Sequence, residues 1–281
     1  MYNMNEITLK APAKLNLYLD ITGKREDGYH LLETVMTSVD LCDKITIKRA
    51  YGQAEKIVVG CTNAEIPQNE GNICYKAARL FLSEANIRDS IEIFIEKHIP
   101  HGAGLGGGSA NAATVFRGLN ELYGYPLEKD ELLKLGNMAG ADVPFCIVGG
   151  TKLCRGTGEI ISECPALKKQ AFLIIMPNFG CDTKAAYKKY DEAPVKPKDA
   201  LDEFFKDYPR YLYNVFEELY RSDDIREIKE ALIKNGAKSA SLTGSGAAVF
   251  GIFENREKAE YAKDAFSASG LFTAVVENII P

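Results

Sequence analysis

PHGAGLGGGSANAA, running from Pro100 to Ala113, is the stretch on which the reading of this chain turns. Five of the residues from Gly102 to Gly108 are glycine. Glycine gives up more conformational freedom on folding than any other residue. Such a cluster points to a backbone that must approach something closely. An Ala-rich segment follows at once, and the pattern predicts a helix beginning near Ser109. The N–H groups of its first turn and the positive end of its dipole would face back toward the loop. That combination is an anion site, and phosphate is its usual occupant.

The loop fits neither common nucleotide fingerprint. A P-loop needs G-x-x-x-x-G-K-[ST], and Gly104 to Ser109 has no lysine at the required place. Gly102-x-Gly104-x-x-Gly107 has the dinucleotide spacing, but the sequence before it reads as hairpins rather than a βαβ series. The plain alternative is a flexible surface loop. Flexible loops usually carry more Ser, Asn and Asp, and rarely lead straight into an Ala-rich helix.

The 281 residues suffice for about two domains. Hydrophobic content is 46% and charged content 26%, within the range of water-soluble globular chains. A net charge of −5 argues against a nucleic-acid binder that works through a broad basic surface. It leaves room for a polyanionic small substrate, because a pocket needs only a few local cations. No apolar run approaches the roughly 20 residues that span a bilayer. MYNMNEITLK lacks a basic region followed by an apolar core, so no signal peptide is expected. Seven cysteines, with no C-x-x-C pair, are expected to be reduced and mostly buried in a cytoplasmic protein. The three histidines, His30, His98 and His101, show no metal-ligand spacing.

Working outward from the loop, Leu15, Leu17, Leu19 and Ile21 alternate with Asn16, Tyr18, Asp20 and Thr22, as in a half-buried strand. Asp27-Gly28 signals a turn. Leu31 to Val39 and Lys44 to Lys48 continue the sheet. Ile73, Ala77, Leu80, Phe81 and Ala85 share one helical face, and Ser90 to Lys97 alternates again before the loop. The loop's helix should end near Gly124. Another, about Lys129 to Met138, stops at Gly140, leaving Asp142 in a short ADVP turn. Beyond it, Ala171 to Met176 reads as a buried strand and Ala193 to Lys198 as a solvated connection. Helices are expected near Tyr211 to Arg221 and Ile225 to Lys234, the latter stopped by Gly236. Strands Ser239 to Leu242 and Ala247 to Phe253 flank a Thr-Gly-Ser-Gly loop. A helix from about Arg256 and a strand from Phe272 to Asn278 close the chain. The order suggests an α+β fold, with a domain boundary near residue 158 separating 1–158 from 159–281.

The loop resembles the ATP loop of the GHMP kinases. Pro100, Gly104, Leu105, Gly106, Gly107, Gly108, Ser109, Ala112 and Ala113 stand where that pattern wants them. Ala11 to Val35, Ala139 to Thr151 and Leu242 to Phe253 resemble one branch of the family, whose acceptor alcohol carries a cytidyl diphosphate. The resemblance covers nearly the whole chain and is weakest from Asp191 to Arg226. It implies two domains: an S5-like N-terminal ATP-binding domain and a ferredoxin-like C-terminal substrate-side domain. It implies ATP-dependent phosphorylation in non-mevalonate isoprenoid precursor synthesis, with ATP and Mg2+ as cofactors.

Site residues follow from the same resemblance. The segment Pro100, His101, Gly102, Ala103, Gly104, Leu105, Gly106, Gly107, Gly108, Ser109 and Ala110 would bind ATP. Asp142 would be the catalytic base, although on residues alone a carboxylate solvating a helix-ending turn is the better reading. Lys14 would sit beside it and polarise the acceptor hydroxyl; a lysine between apolar neighbours otherwise snorkels to solvent. Asn16 shares the Lys14 face of its strand. Tyr29 and His30 would recognise the cytosine, with Thr183 and Tyr187 as a second wall. Gly244, Ser245 and Gly246 resemble the loop near the substrate phosphates.

Two departures stand out. Ala110 replaces a serine common in relatives, which removes one hydroxyl from the phosphate site. No acidic residue marks itself as a Mg2+ ligand, so the metal's ligands stay open. His101 reads as a solvent-facing position. Two rival readings are another GHMP kinase of homoserine or mevalonate type and a non-enzymatic RNA-associated module on the same scaffold. The DGYH segment and the absence of a Lys/Arg run speak against these in turn. The partner is expected to be a small molecule, with neither nucleic acid nor membrane involved.

Overall fold

The structure is a computed structural model that describes residues 4–50, 55–165, 167–219 and 223–280. The first half of the chain runs β1 (Glu6–Lys24), β2 (His30–Ala50), β3 (Ile57–Cys61), α1 (Ile73–Glu84), β4 (Ser90–Glu96), α2 (Gly107–Leu122), α3 (Lys129–Ala139), α4 (Val143–Val148), β5 (Thr151–Gly156) and β6 (Ile160–Ser162). The second runs β7 (Ala171–Met176), α5 (Thr183–Glu192), α6 (Leu201–Lys206), β8 (Tyr213–Asn214), α7 (Val215–Leu219), α8 (Asp223–Lys234), β9 (Ser239–Leu242), β10 (Val249–Phe253), α9 (Arg256–Asp264) and β11 (Phe272–Glu277). Mixed α/β content agrees with the α+β expectation.

Two compact units emerge, each discontinuous in sequence. One holds Met1–Ala13, Cys42–Ile99 and Gly107–Val148; the other holds Lys14–Leu41, Pro100–Gly106 and Gly149–Pro281. The glycine loop therefore passes from the second unit into the first at residue 107.

In the first unit, β4 lies between parallel β3 and antiparallel β2. Ile45, Ile47, Ile91, Ile93 and Ile95 are buried, with Phe81, Phe116 and Phe145 on the helices. Helix α2 approaches the sheet closely at Gly118, where an added Cβ would stand 2.6 Å from Ile47 Cδ1. Its first residue is Gly107, two before the expected start at Ser109.

In the second unit, the order β11-β7-β10-β9 forms an antiparallel sheet. Helix α8 buries Ile225, Ile228 and Leu232 at i, i+3 and i+7 in a core with Leu173, Ile175 and Phe253. Burying each such aliphatic side chain is worth about 1.5–3 kcal/mol.

The half-buried strand expected around Leu15 is buried on both faces: Asn16, Tyr18 and Asp20 are 3%, 0% and 1% exposed. The supposed outer face is covered within the second unit. Tyr18 packs against Phe204 and Tyr213, and Asp20 Oδ2 accepts the Lys198 N–H at 2.7 Å. Burial pushes the Asp20 carboxyl above its ordinary range, while the backbone N–H groups of Lys198 and Ile21 draw it down. Leu31 to Val39 and Lys44 to Lys48 form one long strand, β2.

The helix expected over Tyr211 to Arg221 starts instead as strand: Tyr213 and Asn214 pair with Tyr18 and Leu19 of β1, and α7 follows. Residues 220 and 221, the end of that expected helix, lie outside the described residues. None of the seven cysteines is in a disulfide, and Cys42, Cys61, Cys164 and Cys181 are only half-buried rather than buried. Among the described residues, no helix is long and apolar enough to cross a membrane.

Candidate active site

Lys14 is 4% exposed on strand β1, in the second unit. Its backbone N–H donates to Leu105 O at 3.0 Å, which pins the glycine loop to the strand. Its Nζ donates to Asn16 Oδ1 at 2.6 Å. The same oxygen accepts the Gly244 N–H at 2.9 Å, and Asn16 Nδ2 donates to Thr34 Oγ1. Asn16 thus ties the lysine to the Thr-Gly-Ser-Gly loop. The lysine stem runs between two glycines. A Cβ on Gly106 would lie 2.8 Å from Lys14 Cγ, and one on Gly244 would lie 3.3 Å from Lys14 Nζ.

The two glycine loops also touch each other, backbone to backbone. A Cβ on Gly104 would fall 2.1 Å from Thr243 O. Gly104 moreover has φ +74, a conformation that L side chains rarely adopt. Ala103 O accepts the Ala248 N–H, and Gly102 O accepts the Cys181 N–H. Gly104→Ala should therefore destabilise the protein by at least about 2 kcal/mol, through left-handed strain and overpacking. Urea unfolding midpoints check this, and an unchanged midpoint would contradict the close packing.

Sequence reasoning missed Asn214, which is 2% exposed. Its Nδ2 donates to Leu242 O and Gly244 O, both at 2.9 Å, and its Oδ1 accepts the Phe216 N–H at 3.0 Å. It holds the second glycine loop from beneath. The Oγ atoms of Thr183 and Ser245 are 3.0 Å apart, so these two expected site residues are brought together. Gly246 belongs to the same loop, where its N–H donates to Thr243 O.

His30 and Tyr187 also meet, their rings stacked with centroids 4.8 Å apart and planes at 30°. Tyr190 adds an edge contact to His30 at 5.7 Å. Asp191 Oδ1 is 2.8 Å from His30 Nε2, and Asp191 Oδ2 accepts from Lys24 Nζ at 2.8 Å. Those hydrogen bonds, from Lys24 and then His30, hold the Asp191 carboxyl below the ordinary carboxylate range. Tyr29 stands apart. It is 64% exposed after the Asp27-Gly28 turn and makes no ring contact among the described residues.

The first unit carries the rest. Gly107, Gly108, Ser109 and Ala110 open α2, with Ser109 half-buried and Ala110 buried. Asp142 is half-buried and immediately precedes α4, and its carbonyl accepts the Cys146 N–H at 3.1 Å. The sequence read ADVP as a turn, but its last two residues open this six-residue helix. Proline misleads there: at the second helical position its missing N–H would have had no intrahelical partner.

Also missed was a buried ion pair, Lys97 Nζ to Asp43 Oδ2 at 2.8 Å, with side chains 6% and 0% exposed. Asp43 Oδ1 accepts the N–H groups of His98 and Ile99. The ammonium lies 3.0 Å from where a Cβ on Gly107 would stand, which places a cation at the start of α2. At the other end of the loop segment, Pro100 is half-buried and His101 is exposed, the latter as expected.

Known families match this chain. The model of the GHMP kinases N terminal domain matches residues 72–150, and that of the GHMP kinases C terminal matches 216–270. The 4-diphosphocytidyl-2-C-methyl-D-erythritol kinase of Syntrophomonas wolfei subsp. wolfei is 42% identical over 270 residues, covering 92% of this chain and 94% of that protein. The chain belongs to the GHMP kinases. The kinase of the same name from Clostridium tetani is 40% identical over 262 residues, covering 90% of this GHMP kinase and 92% of its relative. A crystal structure of 4-(cytidine 5'-diphospho)-2C-methyl-D-erythritol kinase superposes with a TM-score of 0.77 at 29% identity, over 96% of this chain and 99% of that one.

Proposed function

We propose that this GHMP kinase transfers the γ-phosphoryl group of ATP to the 2-hydroxyl of 4-diphosphocytidyl-2-C-methyl-D-erythritol, in non-mevalonate isoprenoid precursor synthesis. One observation carries the reading. In a chain 42% identical to a kinase of that name, a buried lysine is clamped between two glycine loops that press on each other's backbone.

The loop from Pro100 to Ala110 cradles the ATP phosphates, with the N–H groups of the first α2 turn directed at charge. Asp142 takes the proton of the acceptor hydroxyl. The freed oxygen bonds to the γ-phosphorus, and the bond from that phosphorus to the β–γ bridging oxygen breaks, so ADP leaves with the electron pair. Lys14, oriented by Asn16, steadies the negative charge that develops. His30, Tyr187, Thr183 and Tyr29 hold the cytidyl group, while Gly244, Ser245 and Gly246 face its phosphates.

Mg2+ would neutralise phosphate charge during transfer. Among the described residues no cluster of three His, Cys, Asp or Glu side chains could hold a metal ion. This donor set fits a cation that arrives on the triphosphate, since Mg2+ keeps waters and phosphate oxygens and needs only one or two protein ligands. Ser109 is the hydroxyl this chain offers it in the phosphate loop.

An ADP-release assay with the cytidyl acceptor and its cytidine-free analogue tests the proposal. Turnover of the cytidyl acceptor, with kcat/KM for the analogue at least about a hundredfold lower, is expected from the loss of stacking and hydrogen bonding. Equal turnover of both would indicate a small-alcohol kinase that ignores the nucleotide.

A further inference from the structure

Asp191 falls in the part of the chain where sequence resemblance is weakest, yet it touches the residue assigned to the base. Tyr187, Tyr190 and Asp191 stand at i, i+3 and i+4 of α5 and so share one helix face. All three contact His30. The two tyrosines fix the plane of the imidazole. Asp191 fixes its rotation in that plane.

We propose that Asp191 is a positioning residue that locks His30 with its proton on Nε2, presents Nδ1 as an acceptor to the 4-amino group of a cytosine, and so selects cytosine over uracil. This rests on the functional reading given above.

An ionised carboxylate only accepts hydrogen bonds. Asp191 Oδ1 at 2.8 Å therefore requires a proton on His30 Nε2. Lys24, on the other carboxylate oxygen, keeps Asp191 ionised. In a neutral imidazole with one nitrogen protonated, the other is an acceptor. No residue described here donates to His30 Nδ1. Cytosine offers a 4-amino donor to such an atom. Uracil offers a carbonyl oxygen there, and two acceptors facing each other leave both unpaired.

A purely structural role for Asp191 is poorly supported. Its pair with Lys24 is 39% and 45% exposed, and exposed ion pairs contribute little. The contact with His30 is the partly enclosed one, with the His30 side chain 10% exposed.

The chain has only three histidines, so the tautomer is directly readable. In long-range 1H–15N spectra of 15N-histidine-labelled protein above the imidazole titration, wild-type His30 should be the Nε2–H form. Asp191→Ala should give a mixture. An Nδ1–H ring in the wild type overturns the proposal. In kinetics, Asp191→Ala should lower the ratio of kcat/KM for the cytidyl acceptor to that for its uridyl counterpart by about tenfold or more, through KM. The KM for ATP should not move. An unchanged ratio overturns the specificity role. Failure of the wild type to phosphorylate the cytidyl acceptor overturns the functional reading and the specificity role with it, while the spectra still decide the Asp191–His30 lock.

Discussion

Replacing Asp142 by Asn is expected to lower kcat by about a hundred- to ten-thousandfold, the usual contribution of a general base, with little change in ATP affinity. Asparagine keeps the size of aspartate and its capacity to accept a hydrogen bond, and it loses the ability to take a proton. The backbone carbonyl that begins α4 is unaltered, because the bond from Cys146 N–H goes to Asp142 O. The sequence of the glycine loop is likewise unchanged. Steady-state kinetics with the cytidyl acceptor, alongside calorimetric titration with ATP, separates the two effects. Turnover within tenfold of wild type would remove Asp142 from the role of base.

Lys14→Met should cost about a hundred- to a thousandfold in kcat, the scale of a lost charge-stabilising donor. Methionine replaces the stem that fills the space beside Gly106. Asn16 Oδ1 keeps its bond from the Gly244 N–H, and the Lys14 backbone bond to Leu105 O persists. The substitution therefore removes the ammonium and leaves the two glycine loops anchored. Lys14→Arg is not expected to rescue activity, since the wider planar guanidinium would have to fit a channel bounded by close backbone. Thermal unfolding measured beside kcat distinguishes the readings. A large loss of stability with kcat intact would make Lys14 a packing residue.

How far each part of the site was readable follows from how local its cause is. The candidate anion site in the glycine loop is read from two local properties, glycine spacing and an Ala-rich helix start, and both appear in fourteen consecutive residues. Its meaning came from the surrounding motifs. Without Lys14 and Asp142 in their own motifs, the loop supports phosphate binding and nothing narrower. Alternation in β1 correctly marked a strand. It misjudged burial because Tyr18 and Asp20 are covered by Phe204, Tyr213 and the Lys198 backbone, all about 180 residues or more downstream. Alternation records polarity along one strand and carries no information about what later packs on its polar face.

Asp191 and Asn214 were invisible for the same reason. Each is an ordinary polar residue in a segment without a motif. Asp191 matters through a ring 161 positions away, and Asn214 through carbonyls 28 and 30 positions away. The helix α4 was hidden by its proline, and β8 by its length of two residues, too short to show a period.

By itself the sequence determined the family and pointed to a candidate phosphate loop, lysine and aspartate, because backbone freedom, charge and helix start are properties of neighbouring residues. Only the tertiary structure decided what holds them. Asn16 ties Lys14 to Gly244, Asn214 supports that loop from beneath, and Asp191 orients His30. Hydrogen bonds form between groups that are close in space, and the separation of residues along the chain does not reveal that closeness.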